Sequence, residues 1–280
     1  VSVLGVDVGA GTVKSGVFAP KVPPTAVACV ETARTYDGLL AQLGGIIAAA
    51  RRDHGVQAAG VGVPGFISRP EGVVERSPNL RFLDGAPLER DLAVAAGLPL
   101  AVENDANAAA LGEYRALPRP RPASFVHLTL GSGVGAGIVL AGRLYRGSSG
   151  FAAELGHLLV NGRGRPCGCG NSGCAESECS EAGIVASYRE RTGTAEALSS
   201  RQVFDRLQGG DPAAAGAFRR AGRFLGVLLA QIVYALNPSH ISIGGGVAAA
   251  RQALLAPARE ELARRVVPRP HAGTVQAAAP

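Results

Sequence analysis

The chain has no tryptophan, and only eight phenylalanines and five tyrosines in 280 residues. So few rings leave little from which to build a base-stacking platform for single-stranded nucleic acid. Lysine is scarce too: Lys14 and Lys21 are the only ones, and every other basic residue is arginine. Those arginines are scattered through Ala-, Gly- and Pro-rich sequence. The net charge of +6 therefore reads as compositional bias, and an anionic small molecule is a simpler partner than nucleic acid. No uninterrupted apolar run reaches about 18 residues, so no membrane span is expected. The sequence opens on Val-Leu-Gly-Val-Asp7 with neither a basic segment nor an apolar leader, which sets cytoplasmic as the expectation. No Gly-x4-Gly-Lys-Ser/Thr string occurs, so a Walker loop is excluded.

What is present fits a soluble globular protein, with 47% hydrophobic and 18% charged residues and enough length for a pair of domains around a cleft. Strands are expected at Val3–Val8, Val13–Ala19 and Thr25–Glu31, so the first glycines join a hairpin. Leu39, Leu40, Leu43, Ile46 and Ile47 carry helical spacing over 36–54. Strands at Val56–Val63 and Leu98–Val102 precede a helix over Ala106–Tyr114. Pro118-Arg119-Pro120-Arg121-Pro122 cannot continue a helix and is the best linker, giving domains 1–117 and 118–280. The second half repeats the theme. Strands are expected at Ser124–Leu130, Gly137–Leu140, Arg143–Tyr145 and His240–Ile243, and helices at 180–191, 200–207, 212–236 and 247–265. Both halves are read as α/β domains with a mixed sheet.

Four of the five cysteines lie between 167 and 179. Clustered thiols in a chain of this kind favour a metal over a disulfide framework. His157 with Cys167, Cys169 and Cys174 supplies a four-ligand set for structural zinc. Glu154 and Glu176 flank it, and structural zinc does not need them. Cys179 is read as a spare thiol, and Cys29, in an apolar run, as a small buried residue.

Three glycine turns suit phosphate, because glycine lets backbone N–H groups approach an anion closely. The first is Gly9-Ala10-Gly11-Thr12 with Lys14 and Asp7 beside it. The second is Gly131-Ser132-Gly133, and the third is Gly244-Gly245-Gly246. Turns between strands use glycine anyway, so each alone is weak. The second matches a dinucleotide pattern on paper but leads into a strand instead of a helix, which removes that reading. The third is expected to open a helix whose N-terminus favours an anion or a polar nucleoside.

Glu103-Asn104-Asp105-Ala106-Asn107 stands where a strand ends and a helix begins. Asn or Asp there can simply cap the helix, worth about 1 kcal/mol. The same place also suits a carboxylate that accepts a hydroxyl proton during phosphoryl transfer, with Asn104 on a neighbouring sugar hydroxyl.

With these motifs the sequence resembles the ROK family (repressor, open reading frame, kinase), bacterial sugar kinases with an actin-like ATPase (ribonuclease H-like) fold of two α/β domains flanking a cleft. The resemblance runs from residue 3 to about 267. It rests on Gly62-Val-Pro64-Gly65, Ser77-Pro-Asn79-Leu, the 103–107 string, Glu154-Leu-Gly-His157, the second and third glycine turns, and the cysteine string 167–176. It implies an ATP-dependent hexokinase, with glucose as the first choice of sugar. Asp105 would be the general base toward the sugar 6-hydroxyl, with Gly65, Asn79, Asn104, Glu154, His157 and Glu176 on the sugar. His157, Cys167, Cys169 and Cys174 would bind zinc in a structural role, one His157 nitrogen facing the metal and the other the sugar. Asp7, Gly9, Gly11, Thr12, Lys14, Gly131, Ser132, Gly133, Gly244, Gly245 and Gly246 would hold ATP with Mg²⁺. A homodimer is implied as well.

Two departures stand out. The family's first turn usually reads Asp-x-Gly-Gly-Thr, whereas here Ala10 and Gly11 push Thr12 one place along. The family also continues past its last strand into a helix, whereas this sequence stops at Val275-Gln-Ala-Ala-Ala-Pro280. N-acetylmannosamine, N-acetylglucosamine or fructose fit a similar frame, and polyphosphate is a conceivable donor. A sugar-responsive repressor, also in this family, would carry a helix-turn-helix ahead of the first turn, and a zinc module for nucleic acid or protein is the remaining alternative. The kinase reading is preferred to both.

Overall fold

The computed structural model describes residues 1–19, 22–267 and 275–278. Contacts group the chain into two compact units: Val1–Ala108 with Arg146–Ala152, and Ala109–Tyr145 with Ala153–Pro280. The division falls inside a helix instead of at the proline run, and a short later segment returns to the first unit.

In the first unit β1 (Val3–Val8), β2 (Thr12–Ala19) and β3 (Val22–Glu31) form an antiparallel meander. Leu4, Val6 and Val8 alternate inward, the period-two pattern of a half-buried strand. β3 starts ahead of the expected Thr25 despite Pro23 and Pro24, because it is the edge strand and proline costs no ladder bond there. Cys29 on this strand is exposed, which corrects the expectation of a buried thiol. Helix α1 (Tyr36–His54) is capped by Thr35, whose side chain accepts the Gly38 N–H, and ends at Gly55 in the left-handed region. Its Leu39, Leu43, Ile47 and Ala50 are buried.

Next come β4 (Ala58–Val63), the short pair β5 (Phe66–Ile67) and β6 (Val74–Arg76), α2 (Leu88–Ala96), β7 (Leu100–Asn104) and α3 (Asp105–Ala116). β5 and β6 are too short to show a period, whereas α2 carries Leu88 and Leu92 at helical spacing, a signal absent from the sequence-based expectations. The main sheet runs β3-β2-β1-β4-β7, with β1, β4 and β7 parallel.

The second unit repeats this plan. β8 (Ser124–Leu130), β9 (Val134–Leu140) and β10 (Arg143–Leu144) form the meander. Helices α4 (Ala175–Cys179), α5 (Glu181–Thr192), α6 (Ser200–Gln208) and α7 (Pro212–Leu236) follow, then β11 (His240–Gly244), α8 (Gln252–Arg265) and β12 (Val275–Ala277). The sheet order β10-β9-β8-β11-β12, with β8, β11 and β12 parallel, matches the first sheet strand for strand. This doubled meander-plus-parallel order is the ribonuclease H-like arrangement that the resemblance implies. Asp211 caps α7, Pro212 opens it, and Leu225, Leu228, Leu229 and Ile232 bury its apolar stripe. Among the described residues no helix is long and apolar enough to cross a membrane.

One expected element differs. The third glycine turn does not open a helix running to 265. It opens a five-residue 3-10 turn over Gly246–Ala250, which Arg251 at φ +34° separates from α8. A five-residue turn has little dipole, so the expected helix N-terminus for an anion is not formed there.

Candidate active site

Parallel strands present their carboxyl ends on one side of a sheet, where ligands of open α/β sheets bind. In the first unit, register aligns Asp7 on β1 with Gly62 on β4, and Gly62 with Glu103 on β7. Asp7 on β1 and Asp105 after β7 therefore stand at the same edge of the sheet, on the two parallel strands that flank β4. The first glycine turn starts two residues beyond Asp7 and closes tightly, with Gly9 N donating to the Thr12 carbonyl at 2.9 Å. Buried Thr32 locks it: its hydroxyl donates to Gly9 O at 2.8 Å and its N–H to Gly11 O at 3.1 Å. Thr12 and Lys14 are exposed beside it, and Lys14 stands opposite Asp7 in the hairpin register.

Asn104 takes the helix-capping role, its Oδ1 accepting the Asn107 N–H at 3.0 Å while its Nδ2 donates to Gly65 O at 3.1 Å. Asp105 accepts the adjacent Ala106 N–H at 2.8 Å and its own backbone N–H, and is half-buried. Burial, reinforced by the charge of Asp7, raises its carboxyl above the ordinary range, so it is a stronger base than a free aspartate. The Ser77 hydroxyl donates to Pro64 O at 2.7 Å, which draws the segment carrying exposed Asn79 toward Gly65. The first unit thus gathers Gly65, Asn104 and Asp105, with the Asn79 segment tied to the residue before Gly65.

Behind this edge lies an ionic network that sequence reasoning missed. Glu103 accepts from Arg146 Nε at 2.6 Å, from the Asn107 amide at 3.2 Å and from the Asn104 N–H at 3.0 Å. Arg69 lies 3.8 Å from Glu103 and pairs with Glu89 at 2.9 Å. Glu103 and Arg146 are 43 positions apart, so no local pattern announces them. The pair also explains why segment 146–152 returns to this unit.

In the second unit, Thr129 on β8 aligns with Gly244 on β11, so the second and third glycine turns leave adjacent parallel strands together. Gly245, at φ +90°, must be glycine: a Cβ there would lie 2.3 Å from Leu130 O. A cavity of 410 Å³ lies against the third turn, lined by Gly246, Val247, Glu181, Ser200 and Phe204. In the second turn the Gly131 N–H donates to Gly133 O at 3.0 Å. The Val134 N–H donates to Glu176 Oε2 at 3.1 Å, so Glu176 is anchored to this turn.

Ligand atoms of His157, Cys167, Cys169 and Cys174 all lie within 4.8 Å of one another. His157 follows from the Leu155–His157 3-10 turn, and Cys174 immediately precedes α4. His157 Nδ1 is 3.7 Å from Cys167 Sγ, and its Nε2 faces Glu154 Oε2 at 3.9 Å. Cys167 Sγ is also 3.7 Å from Glu176 Oε1. Cys179 stands apart, buried and donating to Ala221 O at 3.4 Å.

The ROK family model matches residues 3–279. The chain belongs to the ROK family. It is 30% identical over 279 residues to a Streptomyces coelicolor glucokinase, covering 94% of this chain and 88% of that protein. It is 32% identical over 256 residues to a Haemophilus influenzae N-acetyl-D-glucosamine kinase, covering 87% and 83%. Among solved structures, a ROK family glucokinase from Streptomyces griseus, in complex with glucose and AMPPNP, superposes with a TM-score of 0.85 at 32% identity, covering 99% of this chain and 94% of that one.

Within this ROK fold the four-donor cluster passes a test of size and chemistry for zinc. Zn–S bonds of about 2.3 Å in a tetrahedron put ligand atoms about 3.8 Å apart. Cys169 Sγ and Cys174 Sγ are 3.7 Å apart, as are His157 Nδ1 and Cys167 Sγ. Glu178, another residue missed in the sequence, braces the loop from behind. Its fully buried carboxylate accepts from Arg165 at 2.7 Å, Asn161 at 2.8 Å and Arg220 at 3.0 Å. One glutamate two places after Glu176 carries no signal of its own.

Proposed function

We propose that the protein is an ATP-dependent hexokinase that transfers the γ-phosphoryl group of ATP to the 6-hydroxyl of glucose. The observation that carries this is the division of labour at the start of α3. Asn104 caps the helix, which leaves the Asp105 carboxylate, raised in basicity by burial, bound only to the backbone N–H groups of Ala106 and its own residue among the described residues. Asp105 takes the proton of the 6-hydroxyl as that oxygen attacks the γ-phosphorus. The bond from the γ-phosphorus to the bridging oxygen breaks, and its electron pair leaves with ADP.

Gly65, Asn79 and Asn104 in the first unit and Glu154, His157 and Glu176 in the second are assigned to the sugar. Glu154 and Glu176 keep their places beside the metal-type cluster, which supports reading them as ligands held by a stiffened loop. His157, Cys167, Cys169 and Cys174 would hold zinc, which supplies rigidity to that loop and takes no part in the transfer. The first two glycine turns, with Asp7, Thr12 and Lys14, are assigned to the phosphates and their Mg²⁺. The 410 Å³ cavity beside Gly246 has the size and mixed polarity for the nucleoside, replacing the helix N-terminus expected there.

The 32% identity to an N-acetyl-D-glucosamine kinase favours a second reading, the same reaction on an N-acetylated hexose. A coupled assay with Mg²⁺ tests both, using glucose, N-acetylglucosamine, N-acetylmannosamine and fructose, each with ATP and with polyphosphate. Glucose should give the highest kcat/KM, with ATP as donor. Preference for an N-acetylated sugar selects the second reading. Zinc-replete protein that turns over none of them rejects both.

A further inference from the structure

A second cavity, of 300 Å³, opens on the α7 side of the second unit, where five arginines meet: Arg191, Arg219, Arg220, Arg223 and Arg265. One carboxylate, Glu261, shares the lining. Glu261 is nearly buried and already serves Arg265 at 2.6 Å, Arg264 at 3.1 Å and Arg223 at 4.0 Å. Arg220 is paired from behind by Glu178. Arg191 and Arg219 have no acidic partner among the described residues. The cavity therefore keeps an excess of positive charge after its own acids are counted.

Two of the guanidinium groups, those of Arg191 and Arg220, are also seated. Arg191 lies flat against the backbone of α7 at Gly216, where a Cβ would meet three guanidinium atoms at 2.8–3.0 Å. A glycine inside a 25-residue helix is disfavoured by propensity, and here it makes room for that group. Arg220 stacks over the Phe224 ring at 5.1 Å. Planar groups fixed in this way lose little further freedom when an anion arrives. Val160, Val227 and Phe224 supply an apolar wall beside the charges.

We propose that this cavity binds a small phosphorylated metabolite. Several guanidinium forks converging on one space suit the many oxygens of phosphate better than a single carboxylate, and the apolar wall accommodates a short carbon skeleton. None of its residues is assigned to the sugar, the phosphate turns or the metal cluster, so the inference does not depend on which hexose is used.

Calorimetric titration with inorganic pyrophosphate tests it. The wild-type protein should show saturable binding that weakens at least tenfold in Arg191→Ala/Arg219→Ala. Gly216→Ala keeps every charge and raises helix propensity, yet displaces Arg191. It should weaken binding several-fold without lowering the unfolding temperature. Sugar kinase turnover without pyrophosphate should be unchanged in both variants. Identical titrations for wild type and variants, as when pyrophosphate binds only at the glycine turns, would overturn the proposal. So would the absence of saturable binding to wild type, or tighter binding of malonate than of pyrophosphate.

Discussion

Glu176 Oε2 lies 2.5 Å from where a Cβ on Gly133 would stand, and the same oxygen accepts the Val134 N–H at 3.1 Å. A residue assigned to the sugar is thus fixed by a turn assigned to phosphate. Gly133→Ala should push the carboxylate away while leaving His157, Cys167, Cys169 and Cys174 in place. Losing one charged hydrogen bond of this kind costs about 1.5 kcal/mol, so the sugar KM should rise roughly tenfold with zinc content unchanged. An unaltered sugar KM would show that the contact does not hold Glu176 for the substrate.

Cys169 and Cys174 differ from Cys179 in what their loss should do to the metal. Metal analysis of purified protein should find one zinc per chain. Cys169→Ser and Cys174→Ser should each lose it, and Cys179→Ser should keep it, because Cys179 is committed to Ala221. Stripping the metal should expose the 157–174 loop to protease and weaken sugar binding by tenfold or more, as expected when outer support of a site is removed. Zinc retained by both serine variants at 169 and 174 would refute the ligand set.

What the sequence made legible was what local pattern encodes. Period-two strands, the α1 and α7 stripes, two hairpins closed by glycine and the spacing of three cysteines after His157 all reappear in the structure. What stayed hidden was set by distance along the chain. Glu103 meets Arg146, and Glu178 meets Arg220, only after folding, and each partner alone looks like an ordinary surface charge. Cys29 is exposed together with Val30 because β3 is the edge strand, so the apolar character of its neighbours does not place it in the core. Glycine-rich Gly244-Gly245-Gly246 indicated a turn correctly, but the sequence held no sign that Arg251 would break the helix after it.

For Asp105 the capping and catalytic readings diverge in kinetics. Asp105→Asn keeps an oxygen for the Ala106 N–H, so stability should change by no more than about 1 kcal/mol. Its kcat should fall between about 10²- and 10⁴-fold, the usual worth of a positioned base, while calorimetric glucose affinity stays near wild type. In the wild type, kcat/KM should decline on acidification as the carboxylate takes up a proton. Because burial and Asp7 raise its pKa, that decline should begin above the range of an exposed aspartate. Full activity in the Asn variant would return Asp105 to the role of a helix terminus.

His127 on β8 gives the fold a pH dependence of its own. It is 4% exposed, lines the cavity bounded by Thr129, Gly244 and Arg251, and its Nδ1 has no partner among the described residues. Burial pulls its pKa down to about 4 from an ordinary 6.5. Between those values the unfolded chain binds a proton that the native protein does not. The contribution of this residue to stability should therefore be complete above pH 6.5 and be lost as the pH drops toward 4, by about 3 kcal/mol. Urea unfolding midpoints of wild type and His127→Leu, measured from pH 7.5 to 4, separate this effect from carboxylates and metal ligands common to both. The variant should lose the added slope between pH 6.5 and 4, and parallel curves through that window would show that His127 is protonated as readily in the native protein as in the unfolded chain.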